Sequence, residues 1–296
     1  ICSAKTGDKL LAVTIPPTAD KLRRLMNLAQ LTQSHALSFF HLSSPDFLLG
    51  WDSDPAKRNV FGLIANHPDL ARSGIRLRQF GQRVIEILGG RKIHAAWTVP
   101  GGVREPLTFE GRQWILDRLP ESLPTPRQAL TLFKDLIHGP LGQEVQVFGE
   151  FPSLFMGLVS AEGNWEHYGG QLRFVDHHRQ IVADGLGEDD YQQFLGEAVE
   201  PWSYLKFPYY KPLGYPEGIY RVGPLARLNV CDRIGTPEAD AELQALRNYA
   251  GGVPTSSFLY HYARLIDILA CLEHNQILLE DPVILSTRVR AQAGVN

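Results

Sequence analysis

Apolar positions in this chain repeat mostly at helical spacing. Between Thr18 and Ser43 they form two stripes, and a helix that is apolar over so much of its circumference is expected to be buried in a bundle. The extended Pro16-Pro17 segment precedes this helix, and Pro45 predicts its end. A second amphipathic helix is predicted from Asp69 to Leu88, because Gly89-Gly90 supplies a helix stop directly after it.

Shorter segments show the same helical period. Further helices are expected over Cys2 to Leu11, Glu110 to Leu119, Arg127 to Ile137, Tyr191 to Glu200, Pro237 to Tyr249 and Ser256 to Leu279. The last of these is expected to pack on the helix that contains Thr18 to Ser43.

In the middle of the chain the period changes to one that is typical of strands. Apolar residues between Val145 and Val159 favour extended structure. Further along the chain, Cys231 also lies in a strand-like segment. Residues 171–175 and 180–183 predict a β-hairpin that is closed by the turn Asp176-His177-His178-Arg179.

Together these patterns predict a predominantly α fold, a helical bundle with a small peripheral β-element. The chain is interpreted as one continuous part of a domain. Its helical core is expected over 1–140 and 237–285, and its β-containing segment over 141–236.

Composition limits the classes of protein that fit. The hydrophobic content of 44% and the charged content of 21% are ordinary for a soluble globular protein, and a formal net charge of -3 argues against a nucleic-acid partner. Membrane insertion is not expected, since the longest apolar stretch, Phe258 to Leu272, is interrupted by charged residues. Three cysteines do not form a disulfide framework, so a reducing compartment, the cytoplasm, fits best.

Few residues point to chemistry by themselves. His177 and His178 are adjacent on a predicted turn and lack a third ligand nearby in sequence, so a solvated turn is favoured over a metal site. Cys231 and Cys271 are expected to be buried, inert thiols without a disulfide. His35 lies on an apolar helix face, where a hydrogen-bonded core histidine is the simpler interpretation.

Four segments, in order along the chain, resemble those of nickel–iron hydrogenase large subunits: Pro16-Pro17-Thr18-Ala19 followed by Ser34-His35-Ala36-Leu37, His94 with Pro100-Gly101-Gly102-Val103, Trp202-Ser203-Tyr204-Leu205-Lys206-Phe207-Pro208, and Val222-Gly223-Pro224-Leu225-Ala226-Arg227. The third is similar to the form found in the bidirectional, NAD(P)-linked branch of cyanobacterial type. The likeness runs along essentially the whole chain.

That resemblance implies a metal enzyme. Large subunits of this family hold a nickel–iron centre with diatomic iron ligands between four cysteine thiolates, which come from two Cys-x-x-Cys motifs. The substrate is H2, and electrons leave through an iron–sulfur small subunit to NAD(P)-linked diaphorase subunits. A nucleic acid is not expected as a partner.

The cysteines of this chain depart from that pattern. Cys2, Cys231 and Cys271 form no Cys-x-x-Cys, so the resemblance implies ligand cysteines outside residues 1–296 and an internal fragment that is inactive alone. No catalytic, cofactor-binding or metal-ligating residue is therefore assigned. Ser34 and His35 are the candidates for hydrogen bonding to groups at the metal site. A buried Ser34 hydroxyl bonded to its own helix is an equal alternative.

Two other functions remain open from the sequence. One is the quinone-reductase subunit of respiratory complex I, which shares this fold without the metal cysteines. The other is a non-enzymatic helical interaction module. Flanking Cys-x-x-Cys motifs would distinguish the hydrogenase from both.

Overall fold

The structure is a computed structural model that describes residues 1–291, and it consists of two compact units. The first unit contains residues 1–131 and the chain from residue 267 onwards, and the second contains Leu132–Ile266. The boundary falls inside two helices, α7 (Pro124–His138) and α12 (Tyr260–Glu280). None of the described helices combines the length and the hydropathy needed to cross a bilayer.

Helices make up most of the first unit. They are α1 (Cys2–Leu10), α2 (Pro17–Ala36), α3 (Ser44–Leu49), α4 (Val60–Asn66), α5 (Pro68–Gly89) and α6 (Phe109–Ser122), with parts of α7 and α12. The pair α2 and α5 forms the centre of this unit, and both bury apolar stripes with side chains such as Leu22, Leu25 and Leu77 at 1% exposure or less. The Gly90 residue ends α5 in the left-handed conformation at φ 72°, which confirms the predicted helix stop.

The predicted helix end at Pro45 is wrong. After α2 the chain continues as a π-helical segment, Leu37–Ser43, and then as α3, so helical structure runs on to Leu49. In the π-helical segment hydrogen bonds close five residues back, and the Ser44 N–H donates to Phe39 O. This wider winding allows the helix to pass a proline, since the carbonyl of residue i−4 no longer has to bond the missing N–H.

A small hairpin also belongs to the first unit. Strands β1 (Thr98–Val99) and β2 (Gly102–Val103) are antiparallel and are joined by Pro100-Gly101. The late segment 289–291 adds to β2 through Val103 N–H to Val289 O (3.0 Å) and Ala291 N–H to Gly101 O (2.7 Å).

Strands are concentrated in the second unit. A four-stranded sheet has the order β5-β4-β3-β8, formed by β3 (Leu154–Val159), β4 (Gln171–Val175), β5 (Ile181–Leu186) and β8 (Tyr220–Arg221). Neighbouring strands are antiparallel except β3 and β8, which are parallel. The predicted hairpin is therefore confirmed as β4 and β5, but it is only half of a larger sheet.

A second hairpin and several short helices complete this unit. The hairpin pairs β6 (Leu195–Val199) with β7 (Lys206–Tyr210), and the helices are α8 (Gly142–Val147), α9 (Tyr191–Phe194), α10 (Pro224–Val230) and α11 (Pro237–Tyr249). A small core of Leu154, Phe174, Phe194 and Tyr210 holds the two sheets of this unit together. The predominantly helical fold with a smaller β part is confirmed.

Three local predictions in this unit are wrong. The segment around Val145 is helical in α8, where Val145 is buried at 3% exposure and Val147 is exposed. Only Tyr191–Phe194 is helical in the predicted Tyr191–Glu200 helix, and the rest is strand β6. Cys231 lies at the C-terminal end of α10 and not in a strand.

Candidate functional site

Arg23 connects three elements, α1, α2 and the β1–β2 hairpin. The last two contain residues of the segments that resemble the hydrogenase motifs. Its side chain is fully buried on α2, and its guanidinium donates to both carboxylate oxygens of Asp8 at 2.6 and 3.3 Å. The same group donates to Val99 O at 2.7 Å and to Gly102 O at 3.0 and 3.2 Å. A buried charge is tolerated here because its donors meet carboxylate and carbonyl acceptors.

Asp8 completes this arrangement from α1. Its Oδ1 also accepts the Gly101 N–H at 2.6 Å. Burial alone would raise the pKa of Asp8, but the hydrogen bonds from Arg23 and Gly101 and the charge of Arg23 outweigh it and hold the pKa below its ordinary value. The ionised carboxylate is thus the form that fastens α1 and α2 to the β1–β2 hairpin.

Gly102 explains why this hairpin needs its glycine pair. It has φ 145°, and a Cβ placed there would lie 2.0 Å from Val289 O. Gly101 has φ 85° and donates its N–H to Asp8. The Pro100-Gly101-Gly102 segment is therefore shaped to accept a neighbouring backbone. His94, before the hairpin, is exposed and has a positive φ of 53°.

Ser34 and His35 lie near the end of α2 and differ in their surroundings. Ser34 is exposed, so the alternative of a buried Ser34 hydroxyl is wrong. His35 is buried, and its Nε2 lies 3.4 Å from Oδ2 of the fully buried Asp267 on α12. This contact confirms that the two long helices meet, and it gives His35 a carboxylate neighbour that the sequence did not indicate.

The Val-Gly-Pro-Leu-Ala-Arg block begins α10 in the second unit. Gly223 precedes the helix at φ 88° and Pro224 is its first residue. Arg221, just before the block, donates to Ser153 Oγ at 2.8 Å and to the carbonyls of Phe151 and Thr255, and its guanidinium lies 4.5 and 4.6 Å from the ring centres of Phe151 and Phe155. Arg221 therefore fixes the start of this block to the segments that contain Phe151, Ser153 and Thr255.

Other singled-out residues of the second unit lie at its surface. His177 and His178 are exposed with ring centres 4.0 Å apart, and the described residues contain no group of three His, Cys, Asp or Glu side chains that could hold a metal ion. The exposure of both side chains agrees with the predicted position of these histidines on a surface turn. Trp202 and Tyr204, between β6 and β7, are 74% and 97% exposed.

The three cysteines do not form a ligand set. Cys2 is exposed, whereas Cys231 and Cys271 are buried thiols without a disulfide, as predicted for the latter two. The Cys231 thiol donates to Leu228 O at 3.8 Å, within its own helix. A nickel–iron centre needs several thiolates around one point, and the described residues of this chain do not fit that requirement.

Sequence reasoning missed Asp8 as the partner of Arg23 and Asp267 as the neighbour of His35. Asp267 had one recognisable signal, a carboxylate inside the otherwise apolar stretch of α12, which in a buried helix requires a partner. Asp8 had none, because α1 is a short polar helix with only Ala4 buried.

Comparisons with known proteins decide the family. The chain is 38% identical to a vhu subunit of the F420-non-reducing hydrogenase of Methanocaldococcus jannaschii, over 98% of this chain and 69% of that protein. This chain belongs to the nickel–iron hydrogenase large-subunit family. The hydrogenase chain is also 38% identical to the NAD-reducing hydrogenase HoxS subunit beta of Cupriavidus necator, over 95% of this chain and 60% of that protein. No family model matches it.

Solved structures agree with this assignment. The hydrogenase chain superposes with a TM-score of 0.94 and 44% identity on a crystal structure of an NAD+-reducing nickel–iron hydrogenase in the H2-reduced state, covering 98% of this chain and 64% of that one. A nickel–iron–selenium hydrogenase of Dm. baculatum, at 19% identity and a TM-score of 0.67, shares the fold.

These relatives correct the narrower assignment made from sequence. The resemblance implies an internal fragment of the NAD(P)-linked large subunit of cyanobacterial type, and this prediction is wrong. It matches hydrogenase subunits of the F420-non-reducing class as closely as HoxS subunit beta, over nearly its whole length. The Trp202 to Pro208 segment therefore does not assign it to one branch.

Proposed function

We propose that this chain serves in the catalytic subunit of a hydrogenase, in which H2 is reversibly oxidised to protons and electrons. The observation that carries the proposal is the 44% identity, at a TM-score of 0.94, to a chain of an NAD+-reducing nickel–iron hydrogenase. The relative is NAD+-reducing, so we propose NAD(P) as the final electron acceptor, with diaphorase subunits and an iron–sulfur small subunit as the electron-carrying partners.

In this function the described residues supply structure around the reaction and not the metal ligands. When bound, a nickel–iron centre would supply the site at which H2 is split. The clamp formed by Arg23, Asp8 and the Gly101–Gly102 backbone holds α1, α2 and the β1–β2 hairpin in fixed positions. Such a rigid support keeps neighbouring catalytic groups in place.

His35 has a more direct proposed role as a positioning residue. With Asp267 beside Nε2, His35 can hold a proton at that atom inside the first unit, and Ser34 precedes it with an exposed hydroxyl. In the intact enzyme, we expect His35→Gln to move the pH profile of H2 oxidation while the protein keeps its metal content. Gln30→Ala, on the exposed side of the same helix, is the matched control and should leave the profile unchanged.

The function itself is tested on the complex isolated from its source through an affinity tag on this chain. We expect reduction of a viologen dye under H2, and reduction of NAD+ or NADP+ under H2. Absence of dye reduction by a metal-loaded complex would overturn the hydrogenase proposal. Dye reduction without reduction of either nucleotide would overturn the acceptor alone.

A further inference from the structure

A basic cavity in the first unit lies between α5, α6 and the start of α7. Its volume is about 410 Å³. The basic side chains at the cavity are Arg76, Arg83, Lys92 and Arg118, and the acidic lining residue is Glu121. Pockets of roughly 300–1,000 Å³ are the size that holds small molecules in proteins.

Two of the three arginines at the cavity have no carboxylate paired with them. Arg83 pairs with Glu86 at 2.7 Å, and the charge of Lys92 also helps to lower the pKa of Glu86. Arg76 and Arg118 form no ion pair with any residue in the described part of the chain. Positive groups that converge on one concavity repel each other, and an anion bound between them relieves that repulsion.

Trp114 holds two of the guanidinium groups in place. The central carbon of Arg118 lies 4.4 Å from the Trp114 ring centre, and that of Arg83 lies 5.8 Å from it. Phe80 stacks on Trp114 with ring centres 6.3 Å apart and an angle of 13° between the rings. A cation–π contact uses the flat surface of a guanidinium and leaves its N–H groups at the edge available for an oxyanion.

The remaining lining adds apolar surface and hydroxyl groups. Leu77, Phe80 and half-buried Trp114 form an apolar wall, and Ser122 and Thr125, buried at 8% and 7% exposure, also line the cavity. Oriented guanidinium groups, hydroxyls and an aromatic wall are the combination that recognises a phosphoryl group attached to an apolar ring.

We propose that this cavity binds a small organic phosphate, with the phosphoryl group at Arg76 and Arg118 and the apolar part against Trp114. The cavity contains none of the groups assigned above to the support of H2 chemistry. The proposal therefore stands or falls independently of the proposed hydrogenase function.

Binding of adenosine diphosphate and of inorganic pyrophosphate to the full chain, measured by isothermal titration calorimetry, tests the proposal. We expect adenosine diphosphate to bind more tightly than pyrophosphate, because only the former has a ring for the apolar wall. Arg118→Gln and Arg76→Gln should each raise the Kd for adenosine diphosphate by roughly tenfold, as loss of a charge-assisted contact does.

Arg72→Gln is the matched control. Arg72 is an exposed arginine of α5 outside the cavity, paired with Asp69 at 3.1 Å, so its loss removes one positive charge without touching the lining. In Arg72→Gln the Kd for adenosine diphosphate should change by less than about twofold. Thermal midpoints of all variants verify that they are folded.

Three results would overturn the proposal. One is the absence of adenosine diphosphate binding at millimolar concentration. Another is an equal loss of affinity in Arg72→Gln and Arg118→Gln, which would mean attraction by overall charge. The third is a hexaglutamate peptide binding more tightly than either phosphate, which would make the cavity a contact for an acidic protein segment.

Discussion

Adjacent arginines on α2 show how strongly a residue's role depends on its position around the helix. Arg23 is completely buried and holds three segments together, whereas Arg24 pairs with Asp20 on the surface, with 29% of its side chain exposed. One residue along a helix is a rotation of about 100°. The identity of the amino acid alone therefore gives no indication of which arginine is structural.

Replacing Asp8 should destabilise the protein far more than replacing Asp20. Asp8→Asn removes the carboxylate charge that lies 2.6 Å from the buried Arg23 guanidinium, and such changes cost about 3–5 kcal/mol. Asp20→Asn breaks an exposed i,i+4 pair and should cost about 0.3–0.5 kcal/mol. Urea unfolding of both variants checks this, and equal losses would contradict the role given to Arg23.

His261 should make stability depend on pH below neutrality. Burial, helped by the charge of Arg264, lowers the pKa of His261 to about 4 from an ordinary value of 6.5. Between these values the unfolded chain binds a proton that the folded chain does not, so stability decreases as pH falls from 6.5 to 4. The difference between the two pKa values corresponds to a decrease of about 3 kcal/mol in the free energy of unfolding.

The measurement is the free energy of unfolding between pH 4 and pH 7 for the parent chain and His261→Gln. The decrease in stability between pH 6.5 and pH 4 should become smaller in His261→Gln and should persist in His178→Gln, which removes an exposed histidine. Parallel curves for the parent and His261→Gln would show that His261 does not titrate in this range.

At the scale of elements, the β1–β2 hairpin depends on the absence of one side chain. Gly102→Ala would place a Cβ 2.0 Å from Val289 O at φ 145°, so we expect a loss above about 3 kcal/mol from strain and broken strand pairing. Gly90→Ala meets no neighbouring atom and changes only a left-handed backbone position, at a cost of about 1–2 kcal/mol. Thermal unfolding compares them, and a Gly102→Ala protein as stable as Gly90→Ala would refute the close approach.

Elements were predictable where one physical signal dominated. The helices α5 and α11 have amphipathic stripes and clear stop or start residues, and the sequence located both ends of each within a few positions. For α2 the sequence located only the start, at Pro17. The α8 segment has valines that favour strands, but packing around buried Val145 makes it helical. The pairing of His35 with Asp267 lies beyond such reasoning, because the two residues are 232 positions apart (267 minus 35).

For the whole molecule, family membership and metal chemistry have to be considered separately. Identity of 38–44% to hydrogenase subunits supports the hydrogenase proposal over an interaction module or the quinone-reductase component of complex I. The motifs that carried this assignment are distributed over both units. In the structure these motifs support the fold, as the Gly101–Gly102 backbone does where it accepts a neighbouring segment. They do not form a set of metal ligands among the described residues.

The polypeptide with this sequence alone should therefore bind no stoichiometric nickel. Its three cysteines comprise one exposed and two buried thiols and no Cys-x-x-Cys. Metal analysis after anaerobic reconstitution with nickel, together with dye reduction under H2, checks this. About one tightly held nickel per chain, lost in Cys231→Ser or Cys271→Ser, would show that these buried thiols are ligands after all.

The π-helical segment Leu37–Ser43 has a consequence for how this helix tolerates changes in length. A turn that closes five residues back contains a residue more than an α-helical turn, so deletion of one residue there can be absorbed by rewinding to an α-helix. The same deletion within α2 would rotate every later side chain by about 100° and move the buried face outward. Deletion of one residue should thus be accepted at 37–43 and rejected at 17–36, and a deletion scan of α2 and this segment, scored by soluble expression, would reveal the difference.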